Sequence, residues 1–173
     1  DPSLKNVDNE LVLNVSDENV ELEERLIGNE LNFTWSSGTN RGTGAAIKYT
    51  LEIDLAGNDF SDPLLTLVEG AQNQYLASID HGTLNYRLLN SGLEAGNTYE
   101  LEARLTAEVT DASIEDQVSK KALSVVTYKP VSTTLFIVGD ASPNEWDISN
   151  AVELTAANQR GVFIYEGKLN EGN

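Results

Sequence analysis

Three features of the sequence predict an all-β chain: an immunoglobulin-like or fibronectin III-like β-sandwich followed by a partial second β-sandwich domain. Apolar and polar residues alternate with period two over several long runs. Gly, Asn and Asp clusters separate those runs as compact turns. The pattern then resets around Lys129-Pro130-Val131-Ser132-Thr133-Thr134, as at an interdomain linker.

Taken in order, Leu11, Leu13 and Val15 alternate with Val12 and Asn14, and Val20 and Leu22 oppose Glu21 and Glu23. Leu31, Phe33 and Trp35 form the next set. Core packing is the role this trio assigns to Trp35. The run from Ile47 to Leu55 predicts a strand with Ile47, Tyr49, Leu51, Ile53 and Leu55 inward and Lys48, Thr50, Glu52 and Asp54 outward. From Tyr99 to Val109, Leu101, Ala103, Leu105 and Ala107 alternate with Glu100, Glu102, Arg104, Thr106 and Glu108. A face that is apolar on one side and charged on the other suits an antiparallel sheet packed on a second sheet. Leu123 to Tyr128 reads as the closing strand.

Between these runs, Ser36 to Gly44 is a Gly-rich loop, and Gly57-Asn58-Asp59 and Gly96-Asn97 are turn signals. Asp62-Pro63 followed by Leu64, Leu65, Leu67 and Val68 reads either as a short helix or as an irregular apolar stretch. Thr83 to Leu89 predicts a helix: Leu84, Leu88 and Leu89 share a face, and Ser91-Gly92 ends it. This helix is expected to cross between the sheets before the strand at 99–109. The boundaries expected are a sandwich over 1–130, a linker at 131–134 and a second β segment over 135–173. In that segment Leu135 to Val138 and Val162 to Tyr165 read as strands. Phe136, Phe163 and Tyr165 are either core or the lining of an open sheet face.

Composition narrows the function classes. With 28 acidic and 11 basic residues the formal net charge is −17. Residues 1–132 carry −13 of it and 133–173 carry −4. Phosphate backbones are bound chiefly through Lys and Arg clusters, and the longest basic run is Lys120-Lys121. Nucleic acid and anionic membrane surfaces are therefore poor partners. The absence of Cys removes disulfides and thiolate chemistry. The chain contains neither a signal peptide nor an 18-residue apolar run. It opens at Asp1-Pro2 with no Met, which reads as a processed or trimmed chain.

No catalytic or metal constellation is expected, and no cofactor. His81 stands between Asp80 and Gly82 as a turn residue beside a helix start, and no nucleophile at local spacing completes a triad with it. Asp54, Asn58, Asp59 and Asp62 cluster around a turn but miss the spacing of a calcium loop. Glu100 and Glu102 fall on the wet face of a regular strand, where nothing shields one carboxyl as an acid. Gly38, Gly42 and Gly44 lack the Lys-Ser/Thr of a phosphate cradle.

Five stretches carry a family resemblance. Leu135-Phe-Ile-Val-Gly-Asp-Ala-Ser-Pro-Asn-Glu-Trp-Asp147 and Gly161-Val-Phe-Ile-Tyr-Glu-Gly-Lys-Leu169 resemble the opening of the starch-binding domains of SusE and SusF, surface lipoproteins of outer-membrane glycan uptake. Leu31-Asn-Phe-Thr-Trp35, Tyr49 to Phe60 and Leu84-Asn-Tyr-Arg-Leu-Leu89 resemble, in order, the immunoglobulin-like domain at the front of SusE-type proteins. The resemblance implies a non-enzymatic, cell-surface protein of the outer membrane that captures starch-like α-glucan. It also implies a lipid anchor upstream of Asp1, a first domain acting as spacer, and an outer-membrane transporter complex as a partner. By the same resemblance 135–173 is the N-terminal, truncated portion of a starch-binding-type β domain. A structural or protein-interaction module without its own sugar site is the alternative.

Trp146 is the leading candidate for a sugar contact, with Asn144 and Asp147 as neighbouring polar groups. Trp146 is either a stacking platform for a sugar face or a cover over the edge of a small sheet.

Overall fold

The structure is a computed structural model that describes residues 9–111, 113–157 and 161–171. The chain divides into two compact units, Asp1–Lys129 and Pro130–Asn173.

Unit 1 is a β-sandwich with one helix. Strands β1 (Leu13–Val15), β3 (Glu30–Trp35) and β6 (Leu76–Asp80) form a three-stranded sheet in the order β1-β3-β6. Strands β2 (Asn19–Glu21), β4 (Ile47–Leu55), β5 (Leu65–Gln72), β7 (Thr98–Val109) and β8 (Gln117–Val126) form the second sheet in the order β2-β8-β7-β4-β5. The chain changes sheets between β1 and β2. At that corner the Asp17 carboxylate accepts from Asn19 N at 2.9 Å, and the Glu18 carbonyl accepts from Ser124 N at 2.8 Å. This lets β2 run parallel to β8, with Val20 opposite Val125.

The alternating runs bury one face as their pattern requires. Leu31, Phe33 and Trp35 of β3, Tyr49, Leu51 and Ile53 of β4, and Leu101, Leu105 and Val109 of β7 are buried between the sheets. Helix α1 (His81–Asn90) leaves β6 of one sheet and leads to β7 of the other, closing an end of the core with Leu84 and Leu88. Its start is set by Asp80, whose carboxylate accepts from Thr83 N at 2.8 Å and from Thr83 Oγ1 at 2.6 Å.

Four expectations need correction. The closing strand β8 begins at Gln117, six residues before Leu123, and ends at Val126. Its first half is polar and is held by pairing with β7 rather than by apolar burial. The stretch after Asp62-Pro63 is neither helix nor irregular: Leu65–Gln72 is the edge strand β5. It tolerates a register shift against Tyr49 to Glu52, with Gly70 at φ 60° and Gly70 N donating to Thr50 Oγ1 at 3.1 Å. Strand β6 was not expected. Asp54 is buried rather than outward: its carboxylate accepts from Leu55 N at 2.8 Å and from Asn58 Nδ2 at 3.3 Å, tying down the turn that follows.

Unit 2 is built from short strands. The segment Val152–Ala156 is broken at Leu154 into β10 (Val152–Glu153) and β11 (Thr155–Ala156). The first piece pairs with β9 (Phe136–Ile137) and the second with β12 (Phe163–Ile164), both antiparallel. Among the described residues of this unit no large hydrophobic side chain is buried, and Ser142 is the one buried residue.

Candidate functional site

The candidate sugar contact lies in the loop between β9 and β10, which is organised by short-range hydrogen bonds. Gly139 N donates to the Glu145 carbonyl at 2.7 Å, closing residues 139–145 into a ring. Ser142 sits inside it, with Oγ 2.8 Å from both the Gly139 and the Glu145 carbonyl oxygens. From outside, Asn170 Nδ2 donates to the Ser142 carbonyl at 2.8 Å. The turn needs left-handed backbone at two places, Gly139 at φ 135° and Glu145 at φ 51°.

This scaffold projects Trp146, which is 68% exposed. Its indole N–H donates to the Asp140 carboxylate, so the ring is oriented while remaining open to solvent. Asn144 and Asp147 lie in the same loop but serve its shape. The Asn144 amide donates to the Asn150 carbonyl, and the Asp147 carboxylate accepts from Asn150 Nδ2 at 2.7 Å and from Ser149 N at 3.0 Å. The Asn150 amide, followed by the backbone N–H groups, holds the Asp147 carboxyl below the usual carboxylate range. The three residues thus share one loop, in which Asn144 and Asp147 bond residues 149 and 150 and Asp140 holds the indole. Sequence reasoning missed Ser142 and Asp140. The signal for both was present in Gly139-Asp-Ala-Ser-Pro, a turn sequence whose hydroxyl and carboxylate can bind nearby backbone and side chains.

Next to this loop, Phe136, Val138, Ile148 and Ala151, with Ser149, line an open cleft of about 540 Å³. Phe136 is 53% exposed and lines this open face. Phe163 and Tyr165 are half-buried, and Tyr165 Oη donates to the Lys168 carbonyl at 3.1 Å.

The remaining candidates occupy structural positions in unit 1. His81 is the first residue of α1, and its backbone N–H donates to the Asn29 carbonyl at 2.8 Å. The neighbouring Asp80 carboxylate is engaged by Thr83, whose hydroxyl and N–H hold its pKa down. Glu102 pairs with Lys120 at 3.1 Å, and Glu100 accepts from Ser124 Oγ at 2.9 Å. Asp59 accepts from Ser61 N at 2.9 Å. Among the described residues no group of three His, Asp or Glu side chains is placed to hold a metal ion.

Comparison with known proteins bears on unit 1. A family model described as SusE outer membrane protein matches residues 1–106. No curated protein matches the chain. Among solved structures, the periplasmic chaperone SfaE is 14% identical over 92% of this chain and 96% of that chain, with a TM-score of 0.35. A Ca²⁺-stabilised adhesin with which an Antarctic bacterium binds ice is 13% identical over 82% of this chain and 29% of that chain, with a TM-score of 0.32. The family match covers more than half of the 173 residues: the chain belongs to the SusE family of outer membrane proteins, linked to polysaccharide utilisation.

Proposed function

We propose that this protein captures starch-like α-glucan at the cell surface for a polysaccharide uptake system, with unit 1 as a spacer and unit 2 carrying the sugar contact. The observation that supports it best is the Trp146 side chain, oriented by Asp140 and open to solvent. An aromatic ring whose polar edge is already engaged offers its apolar face to the apolar face of a sugar ring. The spacer role is supported by the path of unit 1. The chain enters at the end where Leu13 N meets Ser119 Oγ and leaves at the opposite end, where Thr127 N meets the Asn97 carbonyl. Ser119 pairs with Leu105 of β7, so the stretch from Asn97 to Leu105 separates the two contacts by about 26 Å at ~3.3 Å per residue.

Residues 135–173 are read as the N-terminal portion of a starch-binding-type β domain, on a linker at 131–134 after a sandwich over 1–130. The exposure of nine large apolar side chains between Val131 and Leu169 supports this reading. A lipid anchor upstream of Asp1 and contact with an outer-membrane transporter complete the proposal. The test is calorimetric titration with maltoheptaose, of the 173-residue chain and of a form extended through the rest of the second domain. The extended form should bind, and the 173-residue form should bind weakly, because a stacking aromatic needs rigid packing behind it. In the extended form Trp146→Ala should cost about 1–3 kcal/mol of binding without unfolding. Unchanged binding by that variant would move the site elsewhere. Binding of another sugar alone would remove only the starch assignment.

One observation favours a second reading. Asn144 and Asp147 use their side chains within the loop, which leaves few polar groups beside Trp146 for sugar hydroxyls. A docking module for an uptake complex, with no sugar site of its own, would show partner binding and no calorimetric signal with any glycan.

A further inference from the structure

The described part of unit 1 begins and ends at opposite ends of one strand. The Leu13 N–H donates to Ser119 Oγ at 3.0 Å, in the first half of β8. Strand β2 then pairs in parallel with the last residues of β8, Asn19 opposite Ser124 and Glu21 opposite Val126. Residues 13–21 therefore run alongside residues 119–126 in the same direction. The chain enters beside the start of β8 and leaves beyond Val126. A pull on both ends draws β2 toward its N-terminal side and β8 toward its C-terminal side, along the strands and not across them.

In that geometry the terminal pair is sheared. Ser124 N donates to the Glu18 carbonyl at 2.8 Å, and Leu22 N donates to the Val126 carbonyl at 3.0 Å. Glu18 and Leu22 thus turn backbone groups toward β8. Val20, midway between them, does the same, because alternate residues of a strand face the same neighbour. Sliding loads these bonds together, and each is lost once its partners part beyond about 3.5 Å. A pull across the pair opens them one after another instead.

Strand β1 is loaded along its axis as well. It pairs with β3 from Leu13 to Val15, and further bonds close both ends of that pair. Ser36 N donates to the Val12 carbonyl at 3.1 Å, Val12 N to Ser36 Oγ at 2.8 Å, and Ser16 N to the Asn32 carbonyl at 2.9 Å. Leu13, Val20, Leu22 and Val125 are buried, so water is kept from the bonds beside them. Glu18 and Lys121 add an ion pair across the β2–β8 seam at 3.5 Å.

We propose that unit 1 is a load-bearing link, in which tension along the chain is carried in shear by β1 against β3 and by β2 against β8. This role deepens that of a spacer, since an anchor on one side and a held glycan on the other would pull along this line. It is read without any glycan, so a failure of sugar binding leaves it standing.

Single-molecule force spectroscopy on the whole 173-residue chain, held at its two termini, tests it. The pairings of unit 2 are two residues long and should open first, at low force. Unit 1 should then open in one event that releases the residues from Asn9 to Tyr128, roughly 400 Å of chain at ~3.5 Å per residue. The chain has no Cys, so Arg25→Cys supplies a unique second handle on a side chain that is 73% exposed and follows β2. Held at that thiol and at the C-terminus, β2 and β8 are pulled from the same end. The mean unfolding force at the same loading rate should be at least about twofold lower, because forced unfolding reads the barrier along the pulling direction. Val20→Pro removes an N–H from the seam and should bring the end-to-end force down to that lower value. Asp80→Ala, in the α1 cap, should lower it by less than about a fifth, because that cap is still intact when the seam gives way. Equal forces in the two geometries, opening of unit 1 in small steps, an unchanged force for a folded Val20→Pro chain, or an equal loss for Asp80→Ala would each overturn the proposal. Should Val20→Pro not fold, the comparison of the two geometries decides alone.

Discussion

Asn85 ties helix α1 to the segment by which the chain leaves unit 1. It is 1% exposed; its Nδ2 donates to the Tyr128 carbonyl at 3.0 Å, and its Oδ1 accepts from Tyr128 N at 2.9 Å. Asn85→Ala removes both bonds and opens a small void. With each bond worth about 1 kcal/mol net and part of the desolvation of two backbone groups added, the expected loss is about 2–3 kcal/mol. For a unit of this size that lowers Tm by roughly 10 °C. Asn85→Asp separates the two bonds. Its carboxylate still accepts from Tyr128 N but faces the Tyr128 carbonyl without a donor, so burial and repulsion raise its folded pKa above the unfolded ~3.9. A raised folded pKa contributes stability that is present below the unfolded value and is lost as pH rises through the folded one. The Asp variant should therefore match the Ala variant, or fall below it, at pH 7 and gain on it toward pH ~4. Urea unfolding followed by the fluorescence of buried Trp35, in a Trp146→Phe background, measures both. A loss under ~1 kcal/mol for Asn85→Ala, or a pH-independent difference between the variants, would refute the reasoning.

The other expectations concern single groups. Asp80→Ala removes the α1 N-cap and should cost about 1 kcal/mol at pH 7. The Asp80 pKa is lowered, first by the Thr83 hydroxyl, so its contribution is present above the unfolded pKa. Urea midpoints of the two proteins should therefore converge as pH falls through the folded value. Burial, with the Tyr75 hydroxyl nearby, pushes the Tyr49 phenol well up, and Tyr49 Oη donates to the Ser37 carbonyl at 2.7 Å. Its contribution is complete below the unfolded pKa of ~10 and is lost above it; Tyr49→Phe should cost about 1 kcal/mol at neutral pH and flatten the alkaline limb of the stability curve. Phe60, buried apart from the main core, lies 4.2 Å from the Arg104 guanidinium and 5.1 Å from the Lys120 ammonium. Phe60→Leu keeps most of the apolar bulk and should lose about 1 kcal/mol, read from thermal melts.

Local pattern was sufficient wherever a segment carries its own period. Strands β3, β4 and β7 follow from alternation, because a sheet buried on one side demands period two whatever its partner. Helix α1 follows from Leu84 and Leu88 on one face and from Ser91-Gly92 at its end. The placement of Trp35 in the core follows from its register with Leu31 and Phe33. The all-β class was legible for the same reason.

Where a residue's role depends on a distant partner, the sequence was silent. The polar half of β8 is a strand because residues 117–122 pair with 102–107, and Leu13 N reaches Ser119 Oγ across 106 positions. Strand β5 is held by β4 despite Asp62-Pro63 at its threshold. Asn85 is buried because the Tyr128 backbone N–H and C=O, 43 positions away, need partners, which composition does not record. The sequence by itself determined the secondary-structure class, the apolar faces and Trp146 as the candidate contact. Only the tertiary structure decided that Asp140 orients that ring and that Asn144 and Asp147 serve the loop, since each depends on the turn geometry that brings groups two to six residues apart within hydrogen-bonding reach.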